Sequence, residues 1–167
     1  MEKPAERRYT AKATCFAASM TYSDLNYREH EGILKRLSMP RKPHKRKTYS
    51  FDDIVVLAVM QLLVNIGIGQ RDALSWALIA RDEALRWGWA RVGSLEIRLY
   101  DESQEVRFTN VPSSAPSPTP GENLMLVVNV SHIAEKVRVL LAAVDLTEPA
   151  EKEPDAGETG EGGSSAS

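Results

Sequence analysis

Residues 9–34 read YTAKATCFAASMTYSDLNYREHEGIL, and the rest of the chain is placed relative to them. Thr21 is a good N-cap: its side-chain oxygen can accept from a backbone N–H in the first turn of a helix that starts at Tyr22. On that helix Leu25 is the buried position, and Tyr22, Ser23, Asp24, Asn26 and Tyr27 occupy its other faces. Those side chains are of the kind that meet base edges in a major groove. Asn26 can pair with adenine, and Asp24 can either accept from cytosine or repel phosphate. Tyr22 and Tyr27 serve equally well as ligand contacts or as half-buried core aromatics.

Directly after this segment comes a run of positive charge. Lys35, Arg36, Arg41, Lys42, Lys45, Arg46 and Lys47 put seven cations into 13 residues with no anion. Pro40 and Pro43 keep the run from being a regular helix interior. A flexible basic loop can follow a phosphate backbone and gain from released counterions. The overall net charge of −2 hides this polarity. Residues 1–49 carry 12 basic and 5 acidic side chains, residues 50–144 carry 8 and 11, and residues 145–167 carry 1 and 7.

Beyond the basic run, Ser50 is an N-cap with Asp52 and Asp53 in the following turn, where the helix dipole favours acids. Asp53 stands three residues on, where a capping box has Glu or Gln. Ile54–Ile66 is apolar on almost every face, as in a central buried helix, and Asn65 and Gly67 stop it. Residues 70–87 read as another helix, with Leu74, Ala77, Leu78, Arg81 and Leu85 sharing a mostly apolar face. The period then drops to two. Leu95, Ile97 and Leu99, a polar turn at 101–104, and Val106 and Phe108 predict a β-hairpin. Leu124–Val130 is a further strand, and Ser131 is expected to cap a helix carrying Ile133, Val137, Leu140, Leu141 and Val144. The Pro- and Ser-rich stretch 111–121 reads as a loop. Residues 147–167, made of Glu, Gly, Ser, Pro and Ala, have too little apolar area to offset the ordering of their backbone and read as a disordered acidic tail.

Several classes of chemistry find no support. The three histidines, His30, His44 and His132, lie in separate segments, and His132 with Glu135 is at most half of a metal site. Glu29–His30–Glu31 reads as a polar helix end, and Gly67–Ile68–Gly69 as a helix–helix turn rather than a phosphate loop. No enzyme, cofactor or metal centre is expected. The single cysteine, Cys15, excludes an internal disulfide, reads as a small core residue and fits a reducing compartment. The 13-residue apolar stretch 54–66 would make a helix of about 20 Å against about 30 Å of hydrocarbon, so no membrane span is expected and the cytoplasm is the default location.

The segment from Tyr9 to Leu34 resembles, without a gap, the winged helix-turn-helix opening of MerR-type regulators. The matching features are the Tyr9–Thr10 pair, a short helix over 11–18, the turn Ser19–Met20–Thr21, a recognition helix from Tyr22 to Arg28, and the ending Glu29, Glu31, Gly32, Ile33, Leu34. Lys47, Thr48, Tyr49, Ser50 and Phe51–Asp53 fit the step from the wing into the third helix. The resemblance covers roughly residues 9–86. Ser19 stands where the family usually has glycine and Thr14 where it has an apolar residue; the wing is longer, and the long dimerising coiled coil is replaced by the strand-rich second half.

The expectation is therefore an α+β chain: a flexible N-terminus over 1–8, a MerR-like winged helix-turn-helix domain over 9–88, a small α+β module over 92–146 and the acidic tail. The resemblance implies a sequence-specific double-stranded DNA-binding protein, a bacterial or phage-like transcriptional regulator acting as a homodimer through the second module. DNA contacts are expected from Thr21, Tyr22, Ser23, Asn26, Tyr27, Arg28, Tyr49 and the wing residues Arg41, Lys42, Lys45, Arg46 and Lys47. The alternatives are an architectural DNA-bending factor of the excision or packaging type, and an adaptor or antirepressor that meets a protein partner. A protein partner for the second module fits any of the three.

Overall fold

The computed structural model describes residues 7–37, 48–100, 104–109 and 122–147. The chain is α+β, with five α-helices and two small antiparallel sheets. Strand β1 (Arg8–Thr10) pairs with β2 (Thr48–Ser50) in the register Arg8↔Ser50, Tyr9↔Tyr49, Thr10↔Thr48. The Arg8 guanidinium clamps this two-stranded ribbon, donating from Nε to Thr48 Oγ1 and from Nη2 to the Thr48 carbonyl, both at 3.0 Å.

Each strand of the ribbon ends in the cap of a helix. Thr10 caps α1 (Ala11–Ala17), and the hydroxyl of the fully buried Thr14 donates to the Thr10 carbonyl at 2.9 Å. That bond satisfies a polar side chain in a position suited to an apolar one. Ser50 caps α3 (Phe51–Asn65) in a complete capping box, Asp53 returning its carboxylate to the Ser50 N–H at 3.1 Å. Aspartate thus does here what the longer glutamate usually does. Between them α2 (Tyr22–His30) opens with a second box, Thr21 with Asp24, and a short 3₁₀ turn follows at Ile33–Arg36.

Helix α3 is the centre of the molecule. Ile54, Val55, Val56, Leu57, Val59, Met60 and Leu63 are sealed from solvent. Against it lies α4 (Gln70–Trp87), where Leu74, Ala77 and Leu78 of the expected face are buried and more alanines join them. Ala73, Ala77, Ala80 and Ala84, spaced by four, three and four, form a low ridge beside Leu74, Trp76 and Leu78. Leu85, expected on the apolar face, is 68% exposed. Small side chains let the two helices approach closely, and the alanine ridge sets the register.

A 3₁₀ turn at Trp89–Arg91 leads from α4 to a second sheet of order β4–β3–β5, with β3 (Ser94–Tyr100) in the middle of β4 (Gln104–Thr109) and β5 (Glu122–Asn129), all antiparallel. Within the turn Trp89 Nε1 donates to Asp52 Oδ1 at 2.6 Å, tying the turn to the start of α3. Helix α5 (Val130–Thr147) closes the chain. Its first turn is capped by Asn129, not Ser131: the Asn129 carboxamide oxygen accepts from the His132 N–H at 2.9 Å and from the Ser131 hydroxyl at 3.0 Å. Asn129 sits one residue before the helix, where a capping oxygen reaches inward, whereas Ser131 already lies within it.

Helix α5 packs on α1 and α3, and Arg138 lies over the Phe51 ring, 5.5 Å from its centroid. Leu95 and Ile97 of β3, Val128 of β5 and Val130, Ala134, Val137 and Leu141 of α5 belong to the same buried cluster as α1 and α3. Packing therefore runs across the boundary placed near residue 90. The expected loop at 111–121 and residues 148–167 of the acidic tail lie outside the described residues; α5 itself extends through Thr147.

Candidate nucleic-acid interface

Helix α2 is held from one side. Leu25 points into the core and is sealed there. Two turns of helix at 100° per residue place Tyr22, Asn26, His30, Ser23 and Tyr27 within an arc of about 140° on the other side. Tyr22 is 59% exposed and Tyr27 55%; Ser23 and His30 are exposed and Asn26 is half-buried. The two tyrosines are surface residues, not core aromatics.

Thr21 and Asp24 form the start of this helix and are occupied with each other. The Thr21 hydroxyl donates to Asp24 Oδ2 at 2.6 Å, the Thr21 N–H donates to the same oxygen at 3.2 Å, and the Asp24 N–H donates back to Thr21 Oγ1 at 3.1 Å. These bonds to Thr21, reinforced by Arg28, hold the Asp24 carboxyl below its usual range. The Thr21 hydroxyl is the helix cap, and the aspartate is committed rather than presented to a base.

Two of the residues expected at the interface lie inside the protein. Arg28 is 2% exposed, and its Nη2 donates to Gln61 Oε1 of α3 at 2.6 Å. At about 240° round the helix from Tyr22 it falls on the face opposite the exposed arc. Its Nε and Nη1 have no hydrogen-bond partner among the described residues, and burial depresses its pKa, with Asp24 opposing. Arg28 fastens α2 to α3. Tyr49 is 1% exposed and its hydroxyl donates to Glu29 Oε1 at 2.5 Å. Burial and then Glu29 push its pKa far up, so it stays neutral and fastens the β1–β2 ribbon to the end of α2.

The wing residues Arg41, Lys42, Lys45, Arg46 and Lys47 lie outside the described residues. The flanking residues are described: Leu37 is buried in the core, and Thr48 begins β2, paired with Thr10 at the start of α1. Thr48, which directly follows the basic segment in sequence, thus belongs to the ribbon that carries both α1 and α3.

Helix α1 adds a feature that residue types alone did not single out. Ala13, Thr14 and Ala17 are buried, leaving Lys12, Phe16 and Ser19 in an exposed line; Phe16 is 54% exposed. A helical wheel of 11–18 separates these two sides, because the small residues fall on one of them.

The chemistry weighed elsewhere is absorbed by structure. Asp52 accepts from Trp89, Asp53 closes a capping box, and Glu135 pairs with Arg138. No cluster of three His, Cys, Asp or Glu side chains able to hold a metal occurs among the described residues. The Cys15 thiol is half-buried, and burial together with Asp24 and Glu29 raises its pKa, which disfavours the nucleophilic thiolate. Among the described residues no helix is long and apolar enough to cross a membrane. Neither models of known protein families nor curated protein sequences match this chain.

Proposed function

We propose that this chain is a sequence-specific double-stranded DNA-binding protein of the MerR-like winged helix-turn-helix kind, acting as a dimeric regulator of transcription. The observation that carries the reading is the exposed arc of α2. A helix fixed by Leu25 and Arg28 beneath presents Tyr22, Ser23, Asn26, Tyr27 and His30 together. A rigid helix with hydroxyls, a carboxamide and two aromatic rings on one face suits the major groove, where Asn26 would take an adenine edge and the rings would meet thymine methyls and sugars.

The cations would come from elsewhere. With Arg28 committed to Gln61, the recognition helix contributes no arginine or lysine of its own. Phosphate neutralisation falls to Arg41, Lys42, Lys45, Arg46 and Lys47, flanked by the anchored Leu37 and Thr48. Affinity and specificity would then be divided between two parts of the chain: the basic segment sets the salt dependence, and α2 sets the sequence.

Selection of bound sequences from random duplex DNA, repeated across a salt series, tests this. The expected result is a motif with two half-sites related by a dyad, about one helical turn apart. Per subunit, log K should fall with log salt at a slope no steeper than about −4.5, the limit for five phosphate contacts. Absence of binding to any duplex at low salt would overturn the proposal.

A further inference from the structure

The two outer strands of the β4–β3–β5 sheet are unlike each other. β4, QEVRFT, carries Glu105 and Arg107, the kind of charge that keeps a sheet edge from pairing with another chain. β5, ENLMLVVN, has eight residues and no ionisable side chain after Glu122. Among the described residues it pairs only with β3. Its apolar residues fall on both faces. Leu126 and Val128 lie on the side shared with Leu95 and Ile97 of the core, while Val127, opposite Glu96, is 40% exposed. A long, uncharged, two-sidedly apolar edge is a template for a further strand.

We propose that the outer edge of β5 is where two copies of this chain join, β5 pairing antiparallel with β5 of the second copy. Self-pairing centred on Leu126 sets position 124 opposite 128 and 125 opposite 127 of the other copy, a register in which apolar residue types face each other and no like charges are opposed. A twofold contact of this kind uses the outer edge of β5 in both copies at once. It leaves the charged β4 strands at the two ends of a six-stranded sheet, so assembly stops at two. The joined sheet supplies the second reading helix that a dyad site calls for; it rests on the DNA-binding proposal for its purpose and on the sheet alone for its geometry.

Sedimentation equilibrium of the full chain tests this, from about 1 to 100 μM, the range in which a modest interface is half-occupied. The unaltered chain is expected to be a dimer in the upper part of that range. Val127→Lys, which sets two ammonium groups at the seam, should weaken dimerisation at least about tenfold. Val139→Lys, which replaces a still more exposed apolar residue on α5, should leave it unchanged. In the unaltered chain, amide exchange within 122–129 should slow as concentration rises, while exchange within 104–109 should not. This measurement decides the matter even if the lysine variant unfolds. A chain that is monomeric at about 100 μM, or a folded Val127→Lys that dimerises like the parent, overturns the interface. Binding to a duplex with a single half-site is read separately. If the parent dimerises through β5 yet binds no duplex, the DNA reading fails and the interface stands.

Discussion

Thr21–Asp24 and Ser50–Asp53 are the same capping box at the heads of two helices, and the helices behind them have opposite surroundings. In α3 the box is buried and nearly the whole helix follows it inside. In α2 the box is in solvent and only Leu25 and Arg28 are buried. A helix that packs all round has no face left to offer a ligand. One fixed by two side chains keeps most of its surface while its orientation stays set by the core. The largest test of this difference is a pair of truncations. Leu57→Ala, at a fully buried position of α3, should cost about 3 kcal/mol in urea unfolding. Tyr27→Ala on α2 should change stability by less than about 0.5 kcal/mol while abolishing sequence preference in DNA binding. A Tyr27 variant as destabilised as the Leu57 variant would make α2 a second core helix.

Caps come next in size. Ser50→Ala leaves the sealed Asp53 N–H without its acceptor and should cost about 2 kcal/mol, at the upper end for a lost cap. Thr21→Ala exposes its orphan N–H to water and should cost nearer 0.5–1 kcal/mol by the same measurement. The Thr21 variant also alters the acid limb. Asp24 is lowered in the folded chain, so its contribution is full above the unfolded carboxylate range and is lost as pH falls through the folded value. Thr21→Ala should remove that part of the acid dependence, seen as a flatter stability profile below about pH 4. At the other end Tyr49 is raised, so stability should decline from about pH 10 upward, and Tyr49→Phe should flatten that alkaline limb.

Arg28 sharpens the comparison from beneath α2. A buried guanidinium whose Nε and Nη1 find no partner among the described residues carries a desolvation cost that one bond to Gln61 does not offset. Arg28→Met should therefore be neutral or stabilising by up to about 1 kcal/mol in urea unfolding, and should leave the salt slope of DNA binding unchanged. A slope reduced by about one would put Arg28 on a phosphate and return it to the interface.

Local signals carried the elements into the sequence. The caps at Thr21 and Ser50, the apolar run 54–66 and the alternation at 95–109 each announced an element that the structure contains. What was not legible depends on contacts between distant residues. Arginine and tyrosine beside a basic run read as ligand contacts. Only the meeting of α2 with Gln61, 33 positions away, and of Tyr49 with Glu29, 20 positions away, turns them inward. On α4 the expected Leu74, Ala77 and Leu78 are buried, but Leu85 was placed with them and Ala73, Ala80 and Ala84 were passed over, because alanine contributes little hydrophobic signal. The three-residue ribbon β1–β2 is too short for any periodicity. Part of the arc on α2 was readable, since Leu25 was set apart from Tyr22, Ser23, Asn26 and Tyr27. Arg28 was grouped with the arc although it lies about 240° round the helix from Tyr22, and His30 was left out of it.

The smallest effects lie at the far ends of α1 and α3, which again share one device. Met20 N–H reaches the Cys15 carbonyl at 3.0 Å and Ser19 N–H the Phe16 carbonyl at 3.3 Å; Ile68 reaches Leu63 at 3.1 Å and Gly67 reaches Val64 at 3.0 Å. Both are Schellman turns, which need a left-handed residue at their centre. α3 uses Gly67 at φ 96°, whereas α1 uses Ser19 at φ 54°. A serine there carries strain of about 1 kcal/mol that glycine lacks, partly offset by glycine's greater freedom in the unfolded chain. Ser19→Gly should stabilise by about 0.5 kcal/mol, and Gly67→Ser should destabilise by about 1 kcal/mol, both read from urea unfolding. Ser19 is exposed beside Phe16 at the turn into α2, so DNA affinity in the same variant separates two reasons for keeping it. Unchanged affinity with the gain in stability would make the serine a tolerated strain. A loss of affinity would make its hydroxyl a contact, next to α2 and paid for in the turn.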